Sequence, residues 1–237
     1  VEVDRVDAIC RRGGLLMGLG CLNPGKCNCE PRVLLWDVGR ESPSLTSLEA
    51  CQDVYDGLGI ASDLASADEY SGSLSNYKLI LAVWTAEDPP WLGQLTSWTG
   101  RLLLAGDYYR APPDPPPRGN PLSNAWINAL CTTKGVDIQI DSDVINRSVY
   151  ARTVSNDLTS STASLSGGVH STITVGPSAT QLYHSVGTFG APPYIPCVAR
   201  HRVGDIDYVV NGDGTMFVTA GAVASKSAWL EQLFTAS

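Results

Sequence analysis

Three unbroken apolar runs constrain this chain more than anything else in it: Val33-Leu34-Leu35-Trp36, Leu79-Ile80-Leu81-Ala82-Val83-Trp84 and Leu102-Leu103-Leu104-Ala105. Each is too short for a buried helix and lacks the alternation of a strand with one wet face, so each reads as a strand covered on both sides. Between them lie segments of helical period. Ser44 can cap a helix whose Leu45, Leu48, Cys51, Val54, Tyr55 and Leu58 recur at three and four residues, with Gly57 and Gly59 ending it. Ile60–Leu64 gives a short second strand, Tyr77–Trp84 the third and Arg101–Gly106 the fourth, with a short helix or turn over Leu92–Trp98. Asn120 and Pro121 then start a helix through Trp126, Ile127 and Leu130. Strands alternating with helical crossovers predict an α/β domain, a parallel sheet in a three-layer αβα arrangement.

The flanks differ from this core. Residues 1–30 read as a cysteine-rich N-terminal arm, because Gly13, Gly14, Gly18 and Gly20 interrupt its weak helical period. Residues 136–190 are rich in Ser, Thr and Gly, with short β-favouring runs at Val136–Ile140, Val144–Val154 and Ser171–Val175, and read as a β-rich insertion. The αβ domain over 31–237 closes with strands Pro196–Val203 and Asp207–Val210, a tight turn Asn211-Gly212-Asp213-Gly214 and a strand Thr215–Thr219. A final helix, capped by Ser225, turns Ala228, Trp229, Leu230, Leu233 and Phe234 inward.

Strand Val33–Asp37, the helix over 44–58, the segment Leu74–Ile80, the strand Gly100–Asp107 and the closing Gly214–Ala220 and Trp229–Phe234 together resemble the class I glutamine amidotransferase-like (flavodoxin-like αβ) superfamily. The resemblance covers about residues 32–135 and 196–235 and implies the fold. It also implies a nucleophilic cysteine at a sharp strand-to-helix elbow, where a helix N-terminus lowers the thiol pKa, and a late His-x-Glu pair. The matching elbow is Ala105-Gly106-Asp107-Tyr108-Tyr109, with Asp107 at the nucleophile position and a proline run behind it. His201 is followed by Arg202-Val203 and His184 by Ser185-Val186, so neither begins a His-x-Glu pair. The expectation is therefore a fold without its catalytic residues, not an enzyme.

Other constellations remain as candidates. Cys10, Cys21, Cys27 and Cys29 form a disulfide or contact arm; a four-thiolate zinc site is the alternative, but their spacing lacks two close knuckles. Cys51 and Cys131 fall on apolar helix faces and read as core, while Cys197 is core or an arm partner. Asp37 and Asp107 end two strands at the carboxyl edge, where open αβ sheets bind ligands, and form a candidate carboxylate site. Trp84, Trp91, Trp98, Tyr108 and Tyr109 flank the Pro112–Pro117 run and form a candidate aromatic contact face; the alternative is that they cover the sheet. Asp205, Asp207, Asn211 and Asp213 read as a solvated acidic turn, with calcium as the alternative.

With 24 acidic against 16 basic residues, a net charge of −8, the chain lacks the cationic surplus that nonspecific nucleic-acid binding needs. No apolar run approaches 18 residues, so no membrane span is expected. No phosphate-loop glycine pattern follows the first strand, and no cofactor or metal is expected. The reading is a structural or interaction module with protein partners, in a homo- or hetero-oligomeric assembly of extracellular or particle type, a virion among them. A metal-assisted hydrolase or lyase using Asp37 and Asp107, or a small-molecule or glycan binding module using the tryptophans, are the alternatives.

Overall fold

The computed structural model describes residues 31–37, 48–65, 70, 72–106, 121–146, 149–167, 169–186, 194–218, 223 and 226–237. The apolar runs become neighbouring strands. β1 (Arg32–Asp37), β3 (Tyr77–Val83) and β4 (Gly100–Ala105) lie side by side in parallel, with β2 (Ser62–Ala65) outside β1. Their side chains divide strictly by parity. Leu79, Leu81 and Val83 enter one core with Leu103 and Ala105, while Ile80 and Ala82 enter a second with Leu34, Trp36 and Leu104. Both faces are dry, which is why no alternation was visible in these strands.

Helix α1 (Glu49–Gly57) covers the first face through Cys51 and Tyr55, together with α3 (Ser227–Thr235) through Trp229, Leu230 and Leu233. On the opposite face lie α2 (Pro121–Lys134), with Ile127, Leu130 and Cys131 inward, and the 3₁₀ turn Leu92–Thr96. α1 begins at Glu49 with Leu48 at its N-cap, later than the Ser44 start expected from sequence; residues 38–47 lie outside the described set.

The sheet is mixed, which corrects the expected parallel arrangement. Its order is β2-β1-β3-β4-β11-β10-β9-β6-β7, with β6 (Val149–Arg152), β7 (Ser164–Ser166), β9 (Thr180–Ser185), β10 (Ile195–Val203) and β11 (Ile206–Asn211). β11 pairs in parallel with β4, but every pairing from β11 to β7 is antiparallel. The switch has a local cause. Val203 pairs with Ile206 across Gly204 and Asp205, Gly204 having φ +59°, and so short a loop can join only antiparallel strands.

The region 136–190 is rich in strands. β6, β7 and β9 extend the central sheet, while β5 (Ile138–Asn146) and β8 (Val169–Val175) pair as a two-stranded ribbon. That ribbon sends Ile138, Ile140 and Ile173 into the second core beside α2. Finally, the expected strand Thr215–Thr219 is a 3₁₀ turn over Gly214–Phe217. Asp213 caps it: its Oδ1 accepts from the Thr215 N–H at 3.0 Å, which turns the chain away from the sheet. No helix among the described residues is long and apolar enough to cross a membrane.

Candidate functional site

Parallel αβ sheets bind ligands beyond their strand carboxyl ends, so the ends of β1, β3, β4 and β11 come first. Asp37 closes β1 in register with Val83 of β3. Asp107 lies outside the described residues, and β3 stands between β1 and β4, so these two strand ends are not neighbours. The expected elbow begins at Ala105-Gly106, and its Asp107, Tyr108 and Tyr109 lie outside the described residues. Among the described residues these four strand ends have one strained corner. It is at Trp84, directly after β3, with φ +56°. A bulky residue in that region costs about 1–3 kcal/mol, and such corners persist only where surrounding structure enforces them. Here the enforcement is visible: Trp84 N–H donates to the Ala105 carbonyl at 2.9 Å, and the indole is 6% exposed.

The edge is tightly filled. Gly214 donates its N–H to the Gly106 carbonyl at 2.7 Å, and a β-carbon on Gly214 would stand 2.2 Å from Trp84 Nε1. A β-carbon on Gly212 would stand 2.1 Å from the Ser171 carbonyl oxygen, whose own residue donates its N–H to Gly212 at 3.0 Å. Around these backbones sits a buried polar cluster that sequence reading took for a solvated turn. Asp213 is 1% exposed and Asn211 fully buried. Tyr150 donates its hydroxyl to Asp213 Oδ2 at 2.7 Å, and the Tyr150 ring packs edge-on against His170 at 4.8 Å. Asn211 Oδ1 accepts from the Asp213 N–H at 2.9 Å. Lys226 is also buried; desolvation pulls its ammonium down to about 8, against the opposing pull of Asp213. Among the described residues the buried Thr85 and Ser123 hydroxyls have no hydrogen-bond partner.

Of the two readings of the aromatic group, the burial of its tryptophans matches the covering of the sheet. Trp91 is fully buried against Trp36 at 5.7 Å, and Trp98 is 6% exposed with Nε1 donating to the Tyr77 carbonyl. Each belongs to the sheet covering, because an indole buries more apolar area than any strand edge can leave wet. Tyr108 and Tyr109 lie outside the described residues, as do Cys10, Cys21, Cys27 and Cys29. Cys51, Cys131 and Cys197 are buried free thiols. Burial pushes Cys51 and Cys131 up to about 12 and Cys197 well above its ordinary value, so none is poised as a thiolate. Among the described residues no three His, Cys, Asp or Glu side chains converge on a point that could hold a metal.

The amino edge of the same sheet holds what the sequence reading missed. Arg101 of β4 is 4% exposed; its Nε donates to Asp207 Oδ2 of β11 at 2.7 Å, and its Nη1 donates to the Leu233 carbonyl of α3. Arg200 of β10 takes the other oxygen of Asp207 at 2.6 Å and reaches Asp157 at 2.7 Å. The signal was available: a charge embedded in a two-sided apolar strand, as in Arg101 before Leu102 and Asp207 after Ile206, is tolerated only when paired. In front of this network lies a cavity of about 290 Å³ lined by Lys78, Gly100, Arg101, Arg202, Asp205 and Asp207, among others.

No family model matches the chain, and no curated protein matches it. Solved structures do share its fold. The N-terminal domain of mmIFT52 superposes with a TM-score of 0.60 at 14% identity, over 85% of this chain and 94% of that one. A cytoplasmic protein from Salmonella typhimurium LT2 gives 0.56 at 10% identity, over 86% and 100%. The exo-beta-1,4-mannosidase Op5Man5 from Opitutaceae bacterium strain TAV5 gives 0.55 at 17% identity, over 88% of this chain but 37% of its own. This chain therefore spans little more than a third of the mannosidase, and at these identities the likeness is one of fold.

Proposed function

We propose that the chain is a non-catalytic interaction module built on an amidotransferase-like sheet, serving one part of a larger assembly. The observation that carries this reading is Trp84. At the strained corner of the carboxyl edge, where acyl-transfer folds present a nucleophile, the side chain is a buried indole. No helix follows directly, since the next turn begins at Leu92, so the oxyanion-binding amides of a helix N-terminus are not supplied at this corner. The buried thiols, raised far above neutrality, support the same reading. The fold's occurrence as a domain, as a whole protein and as a third of a glycosidase supports a module that takes its role from context.

In this proposal residues 1–30, with Cys10, Cys21, Cys27 and Cys29, form the contact arm, and the setting is extracellular or particle-like, where disulfides persist. Light scattering and non-reducing electrophoresis of the full chain, beside a version starting at residue 31, test it. Association between chains that weakens on truncation is expected. A monomer indifferent to the truncation overturns the reading.

A further inference from the structure

The amino-edge cavity is a candidate ligand site that owes nothing to the amidotransferase likeness. It opens at the starts of β3, β4 and β11 and the end of β10, on the face covered by α3. Its charged groups fall into two sets. Arg101 and Asp207 are spent, since each is buried and bonded within the network described above. Lys78, Arg202 and Asp205 are not: among the described residues none of the three has an ion-pair partner. Arg202 and Asp205 are exposed, and Lys78 is half-buried with its Nζ 5.5 Å from the Phe234 ring centre.

Lys78 reaches this cavity by a specific device. Arg32 pairs with Tyr77 but Val33 pairs with Leu79, so Lys78 is an extra residue, a bulge in β3. Without the bulge, parity would put Lys78 and Leu79 on opposite faces. With it, Tyr77 packs into the second core while Leu79 serves the first, and Lys78 stands beside Arg101 and Phe234 on the α3 side. Bulges cost ladder pairing and recur where a side chain must be re-aimed. Burial, then Arg101, pulls the Lys78 ammonium below its ordinary value, a cost that an anion in the cavity would reverse.

The lining carries three cations, Lys78, Arg101 and Arg202, against Asp205, Asp207 and the terminal carboxylate of Ser237, in a chain whose net charge is −8. A bare dianion would satisfy Lys78 and Arg202 but face Asp205. A ligand that also carries hydroxyls would satisfy all three, donating to Asp205 while its charged group meets the two cations. About 290 Å³ lies at the lower limit of small-molecule pockets, the size of a single sugar ring rather than of a nucleotide. We propose that this cavity binds a monosaccharide-sized hydroxylated anion, a sugar phosphate or a sugar acid, through Lys78, Arg202 and Asp205.

Titration of the full 237-residue chain with glucose 6-phosphate, glucuronate, inorganic phosphate and glucose, by calorimetry at low salt, tests the site. Saturable binding of either sugar anion, tighter than inorganic phosphate and with glucose inert, is expected, and the tighter of the two identifies the charged group. Lys78→Gln and Arg202→Gln should each weaken it at least tenfold. Asp205→Asn should weaken the sugar anion yet strengthen inorganic phosphate, an opposition of sign that a general loss of structure would not produce. Amide shifts in wild type should centre on Gly100 and Ser237, which needs no variant to fold. No saturable binding, equal binding of inorganic phosphate or glucose, variants that bind like wild type, or shifts centred on Gly106 and Gly212 would each overturn the proposal.

Discussion

At the carboxyl edge of the sheet, Gly212 meets the Ser171 backbone and Gly214 the Trp84 ring and Gly106 backbone at distances that leave no room for a β-carbon. At the amino edge, Lys78, Arg202 and Asp205 stand around about 290 Å³ of open space. Open αβ sheets ordinarily show the reverse, with ligand room at the carboxyl ends. The difference is one of what the charges do. Asp213 at the carboxyl edge is consumed by Tyr150 and Thr215, whereas the amino edge keeps charges beyond those its own network uses. Four measurements break or sharpen this contrast.

The largest effect is expected from Asp207→Asn. That carboxylate is shared by Arg101 and Arg200 at 2.7 and 2.6 Å, with Arg101 and Asp207 both about 5% exposed at the side chain. Removing its charge leaves a buried guanidinium uncompensated, at a cost of about 3–5 kcal/mol. Urea unfolding should show the midpoint fall accordingly; a loss below about 1 kcal/mol would mean that the network is surface-like and the amino edge is not built around it.

Next is Gly212→Ala at the opposite edge. The added carbon would press on the Ser171 carbonyl, a backbone atom that cannot rotate away, and overpacking of this kind costs about 1–3 kcal/mol. Thermal unfolding of the variant measures it, and a neutral result would mean that the carboxyl edge has slack in which a ligand could sit.

How far this was legible in sequence follows from the same contrast. The uniform runs 33–36, 79–84 and 102–105 revealed the parallel half because a strand dry on both faces has only one reading. The antiparallel half was hidden in its turn: Gly204-Asp205 is short and ordinary, and only the Val203–Ile206 pairing reveals the reversal. Asp213 looked solvated because Asn-Gly-Asp-Gly is turn chemistry, and its partner Tyr150 is 63 residues away. The tryptophans left both readings open, contact surface or sheet covering, because sequence separates aromatic from polar neighbours but not one face of the sheet covering from its outside. At the amino edge Arg101 and Lys78 each carried a visible clue, a charge set against an apolar run, whereas the Lys78 bulge depends on register and has no sequence signature.

Lys226 gives a smaller effect, read as a slope. Its ammonium falls from an ordinary 10.5 to about 8 on folding. Below pH 8 it is charged in both states and the burial penalty is fully present. Between about 8 and 10.5 the native state has released the proton while the unfolded chain keeps it, so this group makes stability rise with pH. The Cys51 and Cys131 thiols, raised from 9.0 to about 12, act in the opposite direction above pH 9. Subtracting Lys226→Met from wild type removes the Cys131 contribution, and in a Cys51→Ala background it isolates Lys226 from the thiol it is coupled to. The difference should grow by about 1–3 kcal/mol from pH 7.5 to 10, and a flat difference would place Lys226 in contact with water.

The smallest expected effect separates the two edges most sharply. Lys78→Gln and Arg202→Gln should each change unfolding free energy by no more than about 0.5 kcal/mol, since neither has an ion-pair partner among the described residues and Arg202 is exposed. Gln keeps the first two methylenes of the Lys78 stem and replaces its charge with a neutral amide. If these charges were part of the scaffold, their loss would register beside that of Asp207. A near-silent pair of variants next to a costly Asp207→Asn would instead divide the edge into a network that holds the sheet together and a cationic lining that the fold does not need. Charge kept in a cavity without a structural use is charge available to something outside the chain. Chemical denaturation in low and in high salt completes the measurement: the variants should track wild type in both, because a cation without an ion-pair partner has no bridge for salt to screen.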